Sequence, residues 1–401
     1  MTVSGEKPYR VYRGGRVRGK VPLERREREE RRSARADGGG PGRIVERRRR
    51  RRWTWRRSVP LAIGVLVLLL VIWTVAGYLS VRSGVRAANK RLPASTAAAL
   101  EPDQGSLLSS PTNILVLGTD HASNGQAGRS TDRHSDSMLL LRTDPGRHRL
   151  IYVSIPRDLR TSIPGYGEQK INAAMQIGGP TLAVRTVDAL FGDALRVNHV
   201  VVVDFASFEK LIDAVGGIDV NVPENILSNT FDCPYSAARC ASWQGWRFHK
   251  GVQHMDGHRA LIYSRIRENR LDPAWSDFTR GQNQQAVMQA TMSKLASVGT
   301  FLRLPFSGGD LLAPIATDLS AWELAQLGWV KFRASSSSSL HCRLGGTATD
   351  IGGGSYIVGT QENFQVIQTV LGHSAPQPPA PGGGLYAPGC VVGNQTFASR
   401  P

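Results

Sequence analysis

From Val59 to Ser80 the chain reads VPLAIGVLVLLLVIWTVAGYLS, 22 residues without a charge. At about 1.5 Å per residue, a helix of this length covers the roughly 30 Å hydrocarbon core of a bilayer. Trp53 and Trp55 precede the run, and Trp73 and Tyr78 stand towards its far end, where amphipathic rings suit the two membrane–water interfaces. A cleaved leader is the rival reading. It would need a polar region of 58 residues before its apolar core, and no small-x-small site closes the run. The sequence ERRRRRRWTWRR comes immediately before the apolar segment, whereas only scattered Arg and Lys follow it. The positive-inside rule therefore predicts a cytoplasmic N-terminus and an extracytoplasmic body after residue 80, with the chain crossing the cell membrane once.

The net charge of +18 suggests a nucleic-acid binder until it is mapped. Residues 1–57 hold 21 Lys/Arg against 7 Asp/Glu, so most of the excess belongs to the tail. That tail is rich in Arg, Glu and Gly and poor in aliphatics, and is predicted to be disordered. It fits a topology determinant that touches anionic head groups, and no nucleic-acid partner is expected. All four cysteines, Cys233, Cys240, Cys342 and Cys390, fall on the predicted outer side. An even number in an oxidising compartment favours disulfides over zinc, for which no C-x2-C pair is present. Of three connectivities, the local one is expected: Cys233–Cys240 and Cys342–Cys390, the second stapling the tail to the body.

Five segments are predicted: the basic tail 1–57, the membrane helix 58–80, a polar stalk 81–110, a main domain 111–373, and a Pro/Gly-rich tail 374–401. Within the main domain NILVLG (113–118), SMLLLRT (137–143), LIYVSI (150–155) and HVVVVDF (199–205) are short apolar runs, read as strands covered on both faces. Helical patterns come between and after them, at 179–192, 206–217, 281–298 and 319–332, and SYIVGTQENFQVIQTVLG (355–372) reads as strand, turn, helix. Alternation of this kind predicts a three-layer α/β/α sandwich with a mixed central sheet.

The chemistry is expected where strands end. No P-loop, G-x-S-x-G or H-E-x-x-H pattern occurs. Open α/β sheets take ligands beyond the carboxyl ends of their strands. Strand 113–118 ends in Gly118-Thr119-Asp120, and the polar loop after it returns through Arg133 and Asp136. Two carboxylates flanking one loop suit Mg²⁺, or Mn²⁺ in its place, shared with phosphate oxygens; equally, aspartates in loops cap turns. Strand 150–155 is stopped by Pro156 and followed by Arg157 and Asp158, with Lys170 after a glycine turn. Arginine offers a fork that fits phosphate, although Arg157 and Asp158 could simply pair with each other. If YSRIR (263–267) is extended, Arg265 and Arg267 share one strand face and call for an anion unless they are solvated. SDFTRGQNQQ then adds Asp277, Arg280 and Gln284 at a helix entry. His254 and His258, four apart, read as polar-face residues or a metal pair.

The blocks NILVLGTD, SDSMLLLRTDP, VSIPRDLRTSIPGYGEQKINAA, GGPTLAVRTVDALFG, HVVVVDFASFEKLIDAVGGIDVNVPE, KGVQHMDGHRALIYSRIRE and SDFTRGQNQQ resemble, in order, those of the LytR–CpsA–Psr family. The resemblance implies a membrane-anchored, Mg²⁺-dependent glycopolymer–peptidoglycan phosphotransferase. Such an enzyme moves a polymer from a polyprenyl-pyrophosphate carrier to a peptidoglycan hydroxyl through a phosphodiester. It also implies Asp120 and Asp136 as metal ligands, and Arg133, Arg157, Lys170, Arg265, Arg267, Arg280 and Gln284 as pyrophosphate contacts. Arg157, Asp158, Arg265, Arg267 and Asp277 form the expected catalytic set, with Asp158 or Asp277 as proton acceptor. Two positions depart from the pattern: Arg133-His134-Ser135-Asp136 stands where the family has Arg-Ser-Asp, and Asn283-Gln284-Gln285 stands where it has Arg-Gln-Gln. Hydrolysis of the lipid-linked pyrophosphate, or non-enzymatic regulation at the membrane, are the alternatives.

Overall fold

The computed structural model describes residues 55–119, 135–273, 275, 277–312, 315–380 and 386–393. Most of the basic tail, Asp120 and Arg133 lie outside them, and for Asp136 and Asp277 only the main chain is described. The first described element is helix α1 (Trp55–Asn89), whose part Val59–Asn89 is long and apolar enough to cross a membrane. From Ile63 onward the chain forms one unit.

That unit is built on a seven-stranded mixed sheet. Strands β1 (Asn113–Thr119), β2 (Ser135–Asp144) and β3 (Arg149–Ile155) form an antiparallel meander. The hairpin β4 (Arg160–Ile163) and β5 (Gly167–Lys170) follows, then β6 (His199–Asp204), which pairs in parallel with β1. Smaller strands come next: β7 (Ile218–Val222), β8 (Ile226–Leu227), β9 (Arg247–Phe248), β10 (Gly251–Met255) and β11 (Ala316–Thr317). Last are β12 (Leu340–Arg343), parallel to β3, the hairpin β13 (Gly346–Ile351) and β14 (Gly354–Gly359), and β15 (Gly389–Val392). The sheet order is β11-β6-β1-β2-β3-β12-β15.

The period of two in the apolar runs explains the layers. Leu115, Leu117, Leu140, Ile151 and Val153 fall on one face and pack with Val184 and Val187 of helix α3 (Ala173–Phe191). Ile114, Leu139, Leu141, Leu150 and Tyr152 fall on the other, against Leu327 and Val330 of helix α9 (Ala321–Arg333). Between α3 and α9 the chain forms α4 (Phe205–Ala214), α6 (Gly257–Arg265), α7 (Asp277–Leu295) and α8 (Val298–Leu312), plus the single turn α5 (Ala237–Cys240). The single turn α2 (Ala94–Ala97) lies before the sheet, and α10 (Glu362–Leu371) follows β14. Gly178 and Gly179 break α3 near its start, so its regular part begins at Pro180, where a fixed φ and a missing N–H cost nothing.

The expected stalk differs. Residues 81–110 do not stand apart: Val85, Ala88, Leu92, Thr96 and Leu107 are buried in the body. Apolar residues spaced along a polar stretch were enough to dock it. The C-terminal tail likewise contributes β15, which pairs with β12, and Cys342 and Cys390 face each other in that register and are bonded. Cys233 and Cys240 form the other expected bond.

At the N-terminal end of β6, His199 is buried between Asp318 (Nδ1–Oδ2 2.6 Å) and Asp103 (Nε2–Oδ2 3.0 Å). Burial disfavours its charge, but the two carboxylates outweigh that and hold its pKa above the ordinary histidine value. Because the folded pKa is raised, this clamp stabilises fully below the unfolded histidine pKa and is lost as pH rises through the folded one. Thermal unfolding from pH 6 to 9 should show a decline that His199→Gln abolishes; an unchanged pH slope in the variant refutes the assignment. Removing the Cys342–Cys390 bond by a double serine substitution should cost about 4 kcal/mol, the denatured-state entropy of a loop this long, measured by urea unfolding.

Candidate functional site

One sheet edge collects the strand ends that matter. The C-terminal ends of β1, β3, β6 and β12 and the start of β2 lie together there, because β1 and β6 run parallel, β3 and β12 run parallel, and β2 runs against both β1 and β3. The β1–β2 pairing slips at this edge. Gly118 opposes Ser137 but Thr119 opposes Ser135, leaving Asp136 as the extra residue of a bulge. Asp120 follows Thr119 directly in the chain. A side chain at Gly118 would meet the Ser137 Cβ at 3.0 Å, so glycine keeps this corner open.

A cavity of about 500 Å³ runs inward from the same edge, between one sheet face and helices α4, α7 and α9. Its body is hydrocarbon: Val116, Val201, Leu261, Val287, Met292 and Leu327 are among its walls. Its polar groups include Ser137, Asn229, Ser264, Arg265, Arg267, Arg280 and Gln284. Four of the sequence-predicted residues, Arg265, Arg267, Arg280 and Gln284, thus meet in one hollow.

They do so by a different local route than expected. Tyr263 to Arg265 end helix α6, which Asp256 caps by accepting from the Arg259 N–H at 2.8 Å. Only at Ile266 does the chain turn extended. The apolar residues Ala260, Leu261, Ile262 and Tyr263 are all buried, so tertiary packing on several sides sustains a helix where the run suggested a strand. Arg265 and Arg267 still share the hollow because the helix ends between them.

The Arg265 guanidinium lies over the Phe205 ring, 4.6 Å from its centroid, and pairs with Asp232. Phe205 is the first residue of α4, fixed by its cap Asp204, which accepts from the Ser207 N–H at 2.7 Å. Asp232 adjoins Cys233, so the short disulfide loop begins beside it. Neither Phe205 nor Asp232 was predicted for the site; no local pattern marks a ring or carboxylate that meets a residue far along the chain. Arg280 is buried on α7, where Asp277, Arg280 and Gln284 fall at i, i+3 and i+7. Gln284 accepts from the Ser137 hydroxyl at 2.9 Å and donates to the Ser264 carbonyl. Its neighbours bind other elements: Asn283 donates to the Tyr263 carbonyl, and Gln285 to that of Cys342. Three consecutive amides therefore lock α7 to α6, β2 and β12.

Arg157, Asp158 and Lys170 lie past the end of β3, on the same edge but outside the cavity lining. Asp158 takes Lys170 on one oxygen (2.8 Å) and Arg157 on the other (3.3 Å). The hairpin β4–β5, turning through Gly165 and Gly167 at positive φ, carries Lys170 back to this point. The pairing of Arg157 with Asp158 that the sequence left open is present, with Lys170 as a third member. His254 and His258 do not form a pair: His254 sits on β10 with Asp219, and His258 on α6 with Glu209.

Residues 80–372 match the model of the LytR_cpsA_psr family. The regulatory protein MsrR of Staphylococcus aureus strain COL is 32% identical over 54% of this chain, and the chain spans 59% of that protein's length. The polyisoprenyl-teichoic acid–peptidoglycan teichoic acid transferase TagU of Oceanobacillus iheyensis is 29% identical over 80% of this chain and 96% of its own. Among solved structures, Bacillus subtilis TagV is similar with a TM-score of 0.51 at 26% identity, covering 65% of this chain and 96% of that one. TagT bound to LIIa-WTA shares the fold with a TM-score of 0.52 at 24% identity, covering 71% and 97%.

A cavity with cationic groups at one end and hydrocarbon along its length should prefer a hydrocarbon-tailed phosphate over either half alone. Binding of farnesyl pyrophosphate should weaken by roughly 10- to 100-fold in Arg265→Ala, the worth of one charged hydrogen-bonding partner. Val287→Trp, which fills the apolar body, should also weaken it. Unchanged affinity in both variants would remove the cavity as the binding site.

Proposed function

The chain belongs to the LytR_cpsA_psr family, and on that premise we propose that it transfers a glycopolymer from a polyprenyl-pyrophosphate carrier to a peptidoglycan hydroxyl. The observation that carries this reading is the cavity itself. It joins Arg265, Arg267 and Arg280 to a hydrocarbon interior, the shape and polarity of a lipid with a diphosphate head. The name of the TagU relative supports the substrate class.

In this reading the three arginines hold the diphosphate, with Arg157 and Lys170 on the neighbouring strand end and Arg133 from the loop after β1. Asp120 and Asp136 would hold Mg²⁺ or Mn²⁺. The fit rests on the donor set: Asp136 is the extra residue of the β1–β2 bulge, Asp120 directly follows Thr119 in the chain, and a pair of carboxylates suits a hard divalent cation. When bound, the ion neutralises charge on the phosphate oxygens. The acceptor hydroxyl oxygen attacks the phosphorus attached to the sugar. The new P–O bond forms as the bond to the bridging oxygen breaks, and polyprenyl phosphate leaves on the arginines. Asp277 takes the hydroxyl proton. Asp158, engaged by Lys170 and Arg157, acts as a positioning residue for those two cations. Helix α1 anchors the enzyme in the membrane that carries its donor, with residues 1–57 in the cytoplasm and the body outside.

The full chain, a lipid-linked oligosaccharide donor and peptidoglycan should give polymer-linked peptidoglycan with Mg²⁺ and none with EDTA. Arg265→Ala and Asp136→Ala should each lose at least 100-fold. Release of the polymer phosphate to water at an undiminished rate without acceptor would make the protein a pyrophosphatase. Donor binding with no turnover of either kind would leave a regulator.

A further inference from the structure

Helix α8 has an outward face that the cavity does not explain. Val298, Phe301, Leu302, Pro305 and Phe306 recur at i, i+3, i+4, i+7 and i+8, the period of a helix stripe that normally faces a core. Here Val298 is 72%, Leu302 54% and Phe306 76% exposed. The opposite side is already used, since Leu304, Leu311 and Leu312 pack on the cluster around Ile212 and Ile262.

The position of this stripe is set by α1. A Cβ on Gly77 would meet the Leu304 Cβ at 3.2 Å, and one on Gly84 would meet the Gly309 carbonyl oxygen at 2.5 Å. The Gly309 N–H donates to the Ser80 hydroxyl, and the Trp73 and Phe306 rings meet edge-on at 5.4 Å. Small residues thus let the two helices cross in close contact. The uncharged run of α1 ends at Ser80, and Trp73 lies about 10 Å inside it at 1.5 Å per residue. Phe306, beside Trp73, is therefore level with the outer part of the hydrocarbon-length run, not beyond it.

We infer that α8 lies in the outer surface of the bilayer, with its apolar stripe among the acyl chains. Arg82 and Arg86, exposed on α1 just past Ser80, lie at the level of anionic head groups. The placement also gives the cavity an entrance. Leu295, at the end of α7, and Leu312, at the end of α8, line the cavity's apolar part, 15 residues or about 22 Å along α7 from Arg280 in the first case. Resting on the function proposed above, a lipid tail passes from the bilayer beside α8 into the cavity without crossing water.

The test uses the full chain in phosphatidylcholine–phosphatidylglycerol vesicles. Its native cysteines are all disulfide-bonded, so a thiol-reactive environment-sensitive dye reports only introduced sites. Labels at Leu302→Cys and Phe306→Cys should be blue-shifted and quenched by acyl-brominated lipid, to at least half the extent of a label at Leu66→Cys within the span. A label at Tyr166→Cys, on the exposed β4–β5 turn, should not be quenched. Labels at 302 and 306 that behave like the one at 166 overturn the inference. So does a blue shift without lipid quenching that depends on protein concentration, which would mean a second copy covers the stripe. In turnover, Leu302→Asp with Phe306→Asp should lose at least 10-fold on a bilayer-embedded long-chain donor and keep its rate on a short-tailed donor in detergent. Equal loss on both would overturn the entrance. If the unsubstituted protein turns over neither donor, the proposed function fails, and the quenching alone still decides where α8 lies.

Discussion

A guanidinium group at the mouth of a hydrocarbon cavity is costly unless something offsets its lost hydration. The fold meets that cost at Arg265 with a ring face and a carboxylate, Phe205 and Asp232, contributed by different elements. The rest of the site follows from this constraint. Helix α6 must end at Arg265, α4 must begin at Phe205 under its Asp204 cap, and Asp232 must return beside the short disulfide loop. On the proposed function, a diphosphate at the mouth would meet a cation, Arg265, that Phe205 and Asp232 already hold in place, so little reorganisation would be needed on binding.

The sheet makes that convergence affordable in distance. Parallel pairing of β1 with β6 and of β3 with β12 sends several strand ends to one edge, while the antiparallel β2 begins there. Residues separated by well over a hundred positions then lie within one hollow. The amides of Asn283, Gln284 and Gln285 hold α7 to α6, β2 and β12 across this edge.

Much of this was legible beforehand, for identifiable reasons. The strands at 113–118, 137–143 and 150–155 were readable because runs buried on both faces have no polar alternation to confuse them, and the helices at 281–298 and 319–332 because amphipathic period survives in any environment. The segment YSRIR is ambiguous in sequence: its local pattern fits a strand as well as a buried helix, and only packing of Ala260 to Tyr263 decides between them. The polarity of residues 81–110 suggests a stalk in sequence; their few apolar side chains dock only because a body is there to receive them. Phe205 and Asp232 left no signal, since their roles exist only in contact with Arg265.

By itself the sequence determined the apolar span, the apolar runs that bury both sheet faces and which cations stand near element ends, because each is a property of neighbours along the chain. Tertiary structure alone decided that Arg265, Arg267, Arg280 and Gln284 share one cavity, that Arg157 and Lys170 close on Asp158 beside it, and that α8 turns an apolar stripe outward next to Trp73. Those depend on strand order and helix crossing, and distances between remote segments are fixed only when the whole chain packs.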